Sequence, residues 1–440
     1  MKLEAPTPPR LSVVVTSRND NHGGDLTRRM QIFLDCWIAQ CKRHSLTSEL
    51  IFVEWNPPAD RPPLSEALVW PDDPGPCSVR IVTVPNHLHA RLAHSDKLSL
   101  FQMIAKNVGI VRARGDFILS TNVDLVFSDA LFRFFSSQSL VPGRIYRSDR
   151  VDVSAGIIEG SSLDAALAYC ESHVLRAARH DGIWLVPPAL TQNGGGHLAD
   201  LLSPPDSMNH HAPLPKVVVA MKAIRARLPR NRFFTRWVAT PIGRAVTAVV
   251  VWRINVKDFI RDYRSYFMKK NLTYGLKWIS LWDPFLGFFR NIPKLHTNAC
   301  GDFMLMSRAD WLRLRGHPAL EIFSFHLDSL SMYWAMHCGL AEERLPEQMV
   351  HYHMEHGSGW TPEGDQELYA RMWSKGIPIL TQSQFLGIAD RISKGRYKSM
   401  HPDHLELNWG LQKEALAETV PTPRVYRAPD ASSQTVGAAP

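Results

Sequence analysis

The sequence predicts an α/β protein in which a mostly parallel sheet is flanked by helices and carries a basic, aromatic-rich helical insertion. Short apolar runs rich in Val, Ile and Leu alternate with segments of helical spacing over residues 1–150, as they do in βαβ proteins. Residues 206–295 instead hold 17 Lys or Arg against 4 Asp or Glu. The composition of the 440-residue chain, 45% hydrophobic and 21% charged, excludes a disordered chain, a coiled coil or a collagen-like fibre.

The first 150 residues supply the predicted sheet. Leu11–Ser17 is an uninterrupted apolar run, which is typical of a strand buried on both faces. The remaining expected elements are strands at Glu49–Glu54, Val79–Val84 and Asp116–Ser120 and helices at Asp25–Lys42 and Leu98–Arg112. Ligands bind at the carboxyl ends of parallel strands. The candidate binding loops are therefore Ser17–Gly24, Glu54–Pro58 and Thr121–Asp129.

The cysteines and the apolar runs indicate an intracellular protein. The 6 cysteines are scattered and form no C-x-x-C pair, which argues against a thiolate zinc site and a disulfide framework. The sequence starts with no apolar leader, and no window has the length and apolarity of a membrane-spanning helix. We therefore expect a cytoplasmic location, with peripheral attachment to the cytoplasmic face of a membrane as an added option.

The basic insertion, residues 206–295, has three open interpretations. It contains 14 aromatic residues, and Lys216–Leu228 has amphipathic spacing. Such a composition is typical of helices that lie on an anionic membrane surface. An ordinary helical subdomain with a solvated basic face is the alternative. Nucleic-acid binding is the third and least favoured interpretation, since no binding motif accompanies the charge.

The most informative motif is Lys106–Asp129, KNVGIVRARGDFILSTNVDLVFSD. It resembles the family-2-type nucleotide-sugar glycosyltransferases of the Rossmann-like GT-A fold, whose pattern is R/K-N-x-G, A-x-G-D/E, an apolar strand and D-x-D. The opening SVVVTSRND resembles the first strand and nucleotide-binding loop of that family. The resemblance implies nucleotide-sugar binding by Ser17, Asn19, Asp20, Glu54, Lys106, Asn107 and Asn122.

The acidic motif of the family holds a divalent cation against the donor diphosphate. Such a cation neutralises the leaving group as the glycosidic bond breaks. The resemblance therefore implies Mn²⁺ or Mg²⁺ here, with Asp124 as the main ligand. The sequence departs from the family at Asn122, which carries no charge and weakens the case for metal dependence. An ordinary βαβ fold with an incidental loop carboxylate is the alternative.

A second motif covers His296–Asp328 and resembles the acceptor half of GT-A enzymes. It contains a glycine turn, the apolar strand Phe303–Met306 and a helix capped by Ser307. The family places a catalytic base after this helix, which implies Asp328 as the group that removes the acceptor proton. Asp302 is the second candidate, as an acceptor-binding or structural carboxylate.

A third motif is Val350–Gly364, VHYHMEHGSGWTPEG. In several GT-A enzymes a C-terminal His completes the metal shell, which implies His353 or His356 here. Trp360 is a candidate for stacking on a sugar ring. Trp55 is a candidate for stacking on the nucleobase, and a core position is the alternative, since a Trp at a strand end is more often buried. A surface loop with incidental histidines is the alternative for this motif.

These motifs predict a sugar transferase acting in carbohydrate biosynthesis. The expected activity is transfer from a nucleoside-diphosphate sugar to a glycan or lipid-linked acceptor hydroxyl, inverting and metal-assisted. The rivals are a nucleotidyltransferase of similar fold and an inactive sugar- or membrane-binding scaffold. The expected segments are a nucleotide-sugar half at 1–150, a connector at 151–205, the insertion at 206–295, the acceptor half at 296–365, a helical region at 366–420 and a disordered tail at 421–440.

Overall fold

The computed structural model describes residues 8–186, 196–198, 292–356 and 364–423. These residues form two β-sheets flanked by helices, which confirms the α/β class. Both sheets are mixed, with parallel and antiparallel pairs. The predictions for Lys216–Leu228, for nearly all of the basic insertion, for Trp360 and for the tail from 424 onward lie outside the described residues.

The helices and strands follow in chain order. The strands are β1 Leu11–Ser17, β2 Ser48–Trp55, β3 Cys77–Val84, β4 Phe117–Thr121, β5 Leu125–Phe127, β6 Arg144–Arg147, β7 Arg150–Val153, β8 Val174–Arg179, β9 Gly182–Leu185, β10 Phe303–Ser307, β11 Ala341–Arg344, β12 His351–Met354 and β13 Ala417–Thr419. The helices are α1 Leu26–His44, α2 Leu64–Ala67, α3 Asn86–His89, α4 Gln102–Arg112, α5 Asp129–Ser136, α6 Leu163–Ser172, α7 Arg308–Leu314, α8 Leu327–His337, α9 Asp365–Ser374, α10 Gln382–Ser393 and α11 Asp403–Glu406.

The first sheet has eight strands in the order β11-β6-β10-β4-β1-β2-β3-β13. Strands β3, β2, β1 and β4 are parallel to one another, and β10 runs antiparallel to β4. Both faces of the sheet are covered, since Val13 and Val15 belong to the core cluster that contains the α1 side chains and Val14 belongs to the cluster on the other face. The apolar runs of the sequence therefore predicted these strands correctly.

The second sheet has five strands in the order β5-β12-β7-β8-β9. The sequence did not predict it. Part of the expected connector at 151–205 folds into α6, β8 and β9, and the boundary expected at residue 150 falls at the start of β7. The chain crosses from the first sheet to the second between Thr121 and Leu125. The loop that holds Asn122 and Asp124 therefore lies at the junction of the two sheets.

The turn after α7 locks two distant segments together. Ser307 caps α7 through the backbone N–H of Asp310, as predicted. Behind the helix, the Asn107 side chain accepts a hydrogen bond from the backbone N–H of His317 and donates one to its carbonyl oxygen, at 2.7 and 2.8 Å. Gly316 has a φ of 74°, and a Cβ there would lie 2.0 Å from the Asn107 amide oxygen. Only glycine fits this close approach.

The C-terminal segment closes one edge of the first sheet. Strand β13 pairs antiparallel with β3, and its Glu418 forms an ion pair with Arg80 at 2.8 Å. The six cysteines all lie among the described residues and are free thiols, as expected. None of the helices within the described ranges is long and apolar enough to cross a membrane.

Candidate functional site

Asp124 is the centre of the site. It lies at the junction between the two sheets and is only 8% exposed. Its Oδ2 atom lies 3.1 Å from Nε2 of His356, 3.7 Å from Nε2 of His353 and 2.9 Å from an Nη atom of Arg29. The structure thus brings together the three side chains that the sequence proposed as metal ligands. It adds an arginine that the sequence analysis did not single out.

Strand pairing explains how residues so far apart in sequence meet. Strand β12 runs antiparallel to β5, and the register pairs His353 with Leu125. His353 therefore lies beside Asp124, the residue that precedes β5. His356 follows β12 by two residues and reaches the same carboxylate.

A second carboxylate orients His353. Its Nδ1 atom lies 2.8 Å from Asp152, which is also paired with Arg150 and Arg176. Burial and Arg150 oppose a charge on the imidazole, but Asp124 and Asp152 outweigh them and raise the pKa of His353 to about 10. A carboxylate on the far nitrogen of a histidine is the usual support of a metal ligand. A cation that took Nε2 as a ligand would release the proton.

The arrangement fits a divalent cation. Oδ1 of Asp124 is buried and has no hydrogen-bond partner among the described residues, which leaves a lone pair of a charged group unsatisfied. A donor set of one carboxylate and two imidazoles mixes hard oxygen with borderline nitrogen. Such a set suits Mn²⁺ and similar transition metals better than Mg²⁺, which prefers oxygen ligands.

Arg29 lies at the end of the first turn of α1 and is 2% exposed. One of its terminal nitrogens contacts Asp124, and the other donates to the carbonyl oxygens of His22 and Gly24 at 2.6 and 3.0 Å. The guanidinium therefore ties the loop after β1 to Asp124. Arg29 is flanked by buried Leu26 and Met30 on α1, and a charge within such an apolar face was the available signal.

Asp302 serves as an anchor in the network beside the site. Its Oδ2 atom accepts from Arg150 at 2.7 Å, and its Oδ1 atom accepts from the side-chain amide of Asn122. Gln102 donates to the amide oxygen of Asn122 at 2.8 Å. Burial opposes ionisation of Asp302, but Arg150 and nearby imidazoles lower its pKa. Because Arg150 neutralises its charge and its pKa is lowered, Asp302 is suited to hold Asn122 and unsuited to act as a base.

Asp328 is partly buried at the start of α8, opposite the turn before β10. Its two oxygens accept hydrogen bonds from the backbone N–H groups of Gly301 and Ser329, both at 2.7 Å. Burial raises the pKa of Asp328, and the charge of nearby Asp302 adds to the effect. A carboxylate with a raised pKa is a better proton acceptor at neutral pH. Of the two candidate bases, Asp328 has the more suitable environment.

The loops after β1 and β2 are pinned to each other. Asn19 donates to the carbonyl oxygen of Pro62 at 3.0 Å, and Glu54 accepts from the backbone N–H of Leu64 at 2.7 Å. Burial raises the pKa of Glu54. Asp20 accepts from the backbone N–H of His22, and Ser17 ends β1 as a buried residue. The predicted nucleotide-binding residues of this region thus lie at the carboxyl ends of β1 and β2.

Three predicted nucleotide-binding residues are fully buried and expose no surface to a ligand. Trp55, Lys106 and Asn107 are each 0% exposed. The indole N–H of Trp55 donates to His89, and the amide of Asn107 is engaged with His317 as described above. The prediction that Trp55 stacks on a nucleobase is therefore corrected, as is the prediction that Asn107 contacts the sugar nucleotide. Both side chains have roles in packing. Lys106 donates to the carbonyl oxygen of Gly301, 2.6 Å away, and so supports the turn that holds Asp328.

No protein-family model matches the chain, and no curated protein matches it either.

Proposed function

We propose that this protein is a glycosyltransferase of the GT-A type, which moves a sugar from a nucleoside-diphosphate sugar to an acceptor hydroxyl. The observation that carries the proposal is the meeting of Asp124, His353 and His356 at the carboxyl end of β4. In α/β proteins that edge is where nucleotides bind. The residues of the nucleotide-binding loop lie at the ends of the neighbouring strands β1 and β2.

Each group has a proposed role. Asp124, His353 and His356 would hold Mn²⁺, which would supply the positive charge that neutralises the diphosphate leaving group. Asp152 keeps His353 oriented through the hydrogen bond at Nδ1. Asn122, held by Gln102 and Asp302, places a neutral amide beside the metal centre. An aspartate at this position would add a negative charge near the donor diphosphate, which Asn122 avoids.

Asp328 is the proposed base. As the acceptor oxygen attacks the anomeric carbon, its proton passes to the Asp328 carboxylate, and the bond between that carbon and the diphosphate oxygen breaks. Attack from the side opposite the leaving group inverts the configuration. Backbone N–H groups at both carboxylate oxygens fix the orientation of Asp328, so the residue does not have to be ordered at the moment of reaction.

A panel of nucleoside-diphosphate sugars tests the proposal. Thermal shift is measured with and without Mn²⁺ on the wild type, Asp124→Asn and Asp328→Asn, because a ligand that binds only the folded state raises its melting temperature. Asp164→Asn is the matched control, since its carboxylate is 79% exposed and belongs to a surface ion pair. Release of nucleoside diphosphate from the donor that binds is then followed.

We expect one donor to stabilise the wild type and the control in a Mn²⁺-dependent manner. Asp124→Asn should lose this stabilisation. Asp328→Asn should keep it and should lose at least a hundredfold in turnover, as is typical for removal of a general base. Donor binding without any turnover in the wild type would favour the scaffold, and absence of binding by every sugar nucleotide would refute the proposal.

A further inference from the structure

Arg29 already places a positive charge where a cation would bind. One guanidinium nitrogen lies 2.9 Å from Oδ2 of Asp124, the same atom that faces both imidazoles. The group is 2% exposed, and its Nε atom has no partner within the described part of the chain. A buried arginine with an unused donor, bound to a carboxylate with an unused oxygen, forms a pair that can rearrange.

The loop after β1 keeps Arg29 in this position. The second terminal nitrogen of the guanidinium donates to the carbonyl oxygens of His22 and Gly24. This loop has left-handed backbone at Asn21, Gly23, Gly24 and Asp25, with φ of 57°, 73°, 76° and 47°. The carbonyl groups of His22 and Gly24 face the guanidinium. Arg29 is therefore held from two sides, by the loop and by Asp124.

The charges around Asp124 mean that its ion pair with Arg29 affects the affinity for a metal ion. Asp124 is the sole carboxylate of the Asp124–His353–His356 group, and Asn122 contributes no charge. A divalent cation on Oδ2 would therefore lie within a few ångströms of Arg29, with no second carboxylate ligand in this group to offset the repulsion. Like charges at such a distance repel strongly in a buried site.

We propose that Arg29 is an internal counter-ion that competes with the divalent cation for Asp124 and thereby sets the cation affinity of the centre. The cation binds when the guanidinium gives up its contact with Oδ2. Arg29 thus acts as a positioning residue, which keeps Asp124 neutralised and oriented until the cation arrives. The inference rests on the metal centre of the proposed function.

Calorimetric titration with Mn²⁺ alone, without any nucleotide, tests this inference on the full chain. The variants are Arg29→Gln, which removes the charge, and Arg29→Lys, which keeps it. Arg43→Gln is the matched control, because Arg43 also lies on α1 and pairs with the exposed carboxylate of Asp164. Circular dichroism melting establishes that each variant is folded.

We expect Arg29→Gln to bind Mn²⁺ at least tenfold more tightly than the wild type, a change of about 1.4 kcal/mol. A purely structural arginine would have the opposite effect, since its loss would loosen the ligands. Arg29→Lys keeps the charge but cannot reach all three acceptors at once, so we expect about threefold tighter binding. It replaces Arg29→Gln as the decisive variant if the latter does not fold.

The outcomes separate this inference from the proposed function. If the wild type binds Mn²⁺ and both Arg29 variants bind it equally or more weakly, the proposed role of Arg29 is overturned and the metal centre stands. Binding by Arg29→Gln with none by the wild type would support it. Absence of Mn²⁺ binding by every folded variant would overturn the metal centre itself, and with it both proposals.

Discussion

Lys106 allows a direct test of the electrostatics around the site. Its ammonium group is fully buried, donates to the carbonyl oxygen of Gly301 and has three carboxylates in its surroundings, those of Asp302, Asp328 and Asp124. Burial outweighs these carboxylates and lowers the pKa of Lys106 to about 8, from 10.5. The charged form is therefore less favourable in the folded state than in the unfolded state. Lys106→Met removes the charge and keeps most of the apolar volume.

The sign follows from proton counting. Between about pH 8 and about pH 10.5 the unfolded chain binds more protons at Lys106 than the folded chain, so stability rises with pH. The destabilisation is fully present below the folded pKa and is lost as the pH rises toward the unfolded one. At about 1.4 kcal/mol per pKa unit, the wild type should gain about 2–3 kcal/mol relative to Lys106→Met between about pH 7 and about pH 10.

Urea titration at several pH values, in the presence of a reductant, measures this difference. Every other group titrates in both proteins, so the comparison isolates Lys106. Lys394→Met serves as the control, because Lys394 forms a half-exposed surface ion pair with Asp390. Parallel stability profiles for the wild type and Lys106→Met would refute the argument. They would mean that the carboxylates compensate fully for the burial of the lysine.

Three further changes have defined expectations. Gly316→Ala should lower the free energy of unfolding by about 2–4 kcal/mol in urea titration, since its Cβ would lie 2.0 Å from a buried amide oxygen. Gly160→Ala is the control, because Gly160 has the same φ of 74° but open space around it, and this change should cost about 1 kcal/mol. Asp152→Asn should weaken Mn²⁺ binding ten- to hundredfold in calorimetry, with melting as the check of folding, because His353 loses its orienting carboxylate. Burial raises the pKa of Asp35 to about 6, so between about pH 4 and about pH 6 the folded chain binds more protons there than the unfolded chain, and stability falls as pH rises through this range. Asp35→Asn should therefore add about 1–2 kcal/mol at about pH 7 and nothing below about pH 4, a dependence that urea titration at both values would reveal or refute.

The predictability of the fold follows from the range of the interactions. Strands such as Leu11–Ser17 are buried on both faces, so each carries its own apolar pattern. The second sheet carries no comparable signal, since β5 has three residues and β12 and β7 have four each. Their pairing joins residue 127 to residue 351. Strands this short become ordered through distant partners, which a local pattern cannot reveal.

The site divides in the same way. Asp124 and the histidines of Val350–Gly364 stand in recognisable motifs, and carboxylate and imidazole side chains are both common metal ligands. Trp55 continues the buried run of β2, and the tertiary environment alone decides between its two predicted roles, stacking on a nucleobase and packing in the core. Arg29 was missed because a single arginine on a helix is usually solvated. Its burial depends on Asp124, 95 positions away in the sequence.

The pairing of β13 with β3 has a consequence for how the protein is made. Glu418 and Arg80, which join these strands, are 338 positions apart. On the ribosome, the outer edge of β3 remains uncovered until the segment around Glu418, 338 positions after Arg80, has been synthesised. An uncovered strand edge can pair with another chain, and contacts between such distant residues form slowly. The nascent protein therefore has a prolonged interval in which a chaperone that shields this edge would raise the yield of folded molecules.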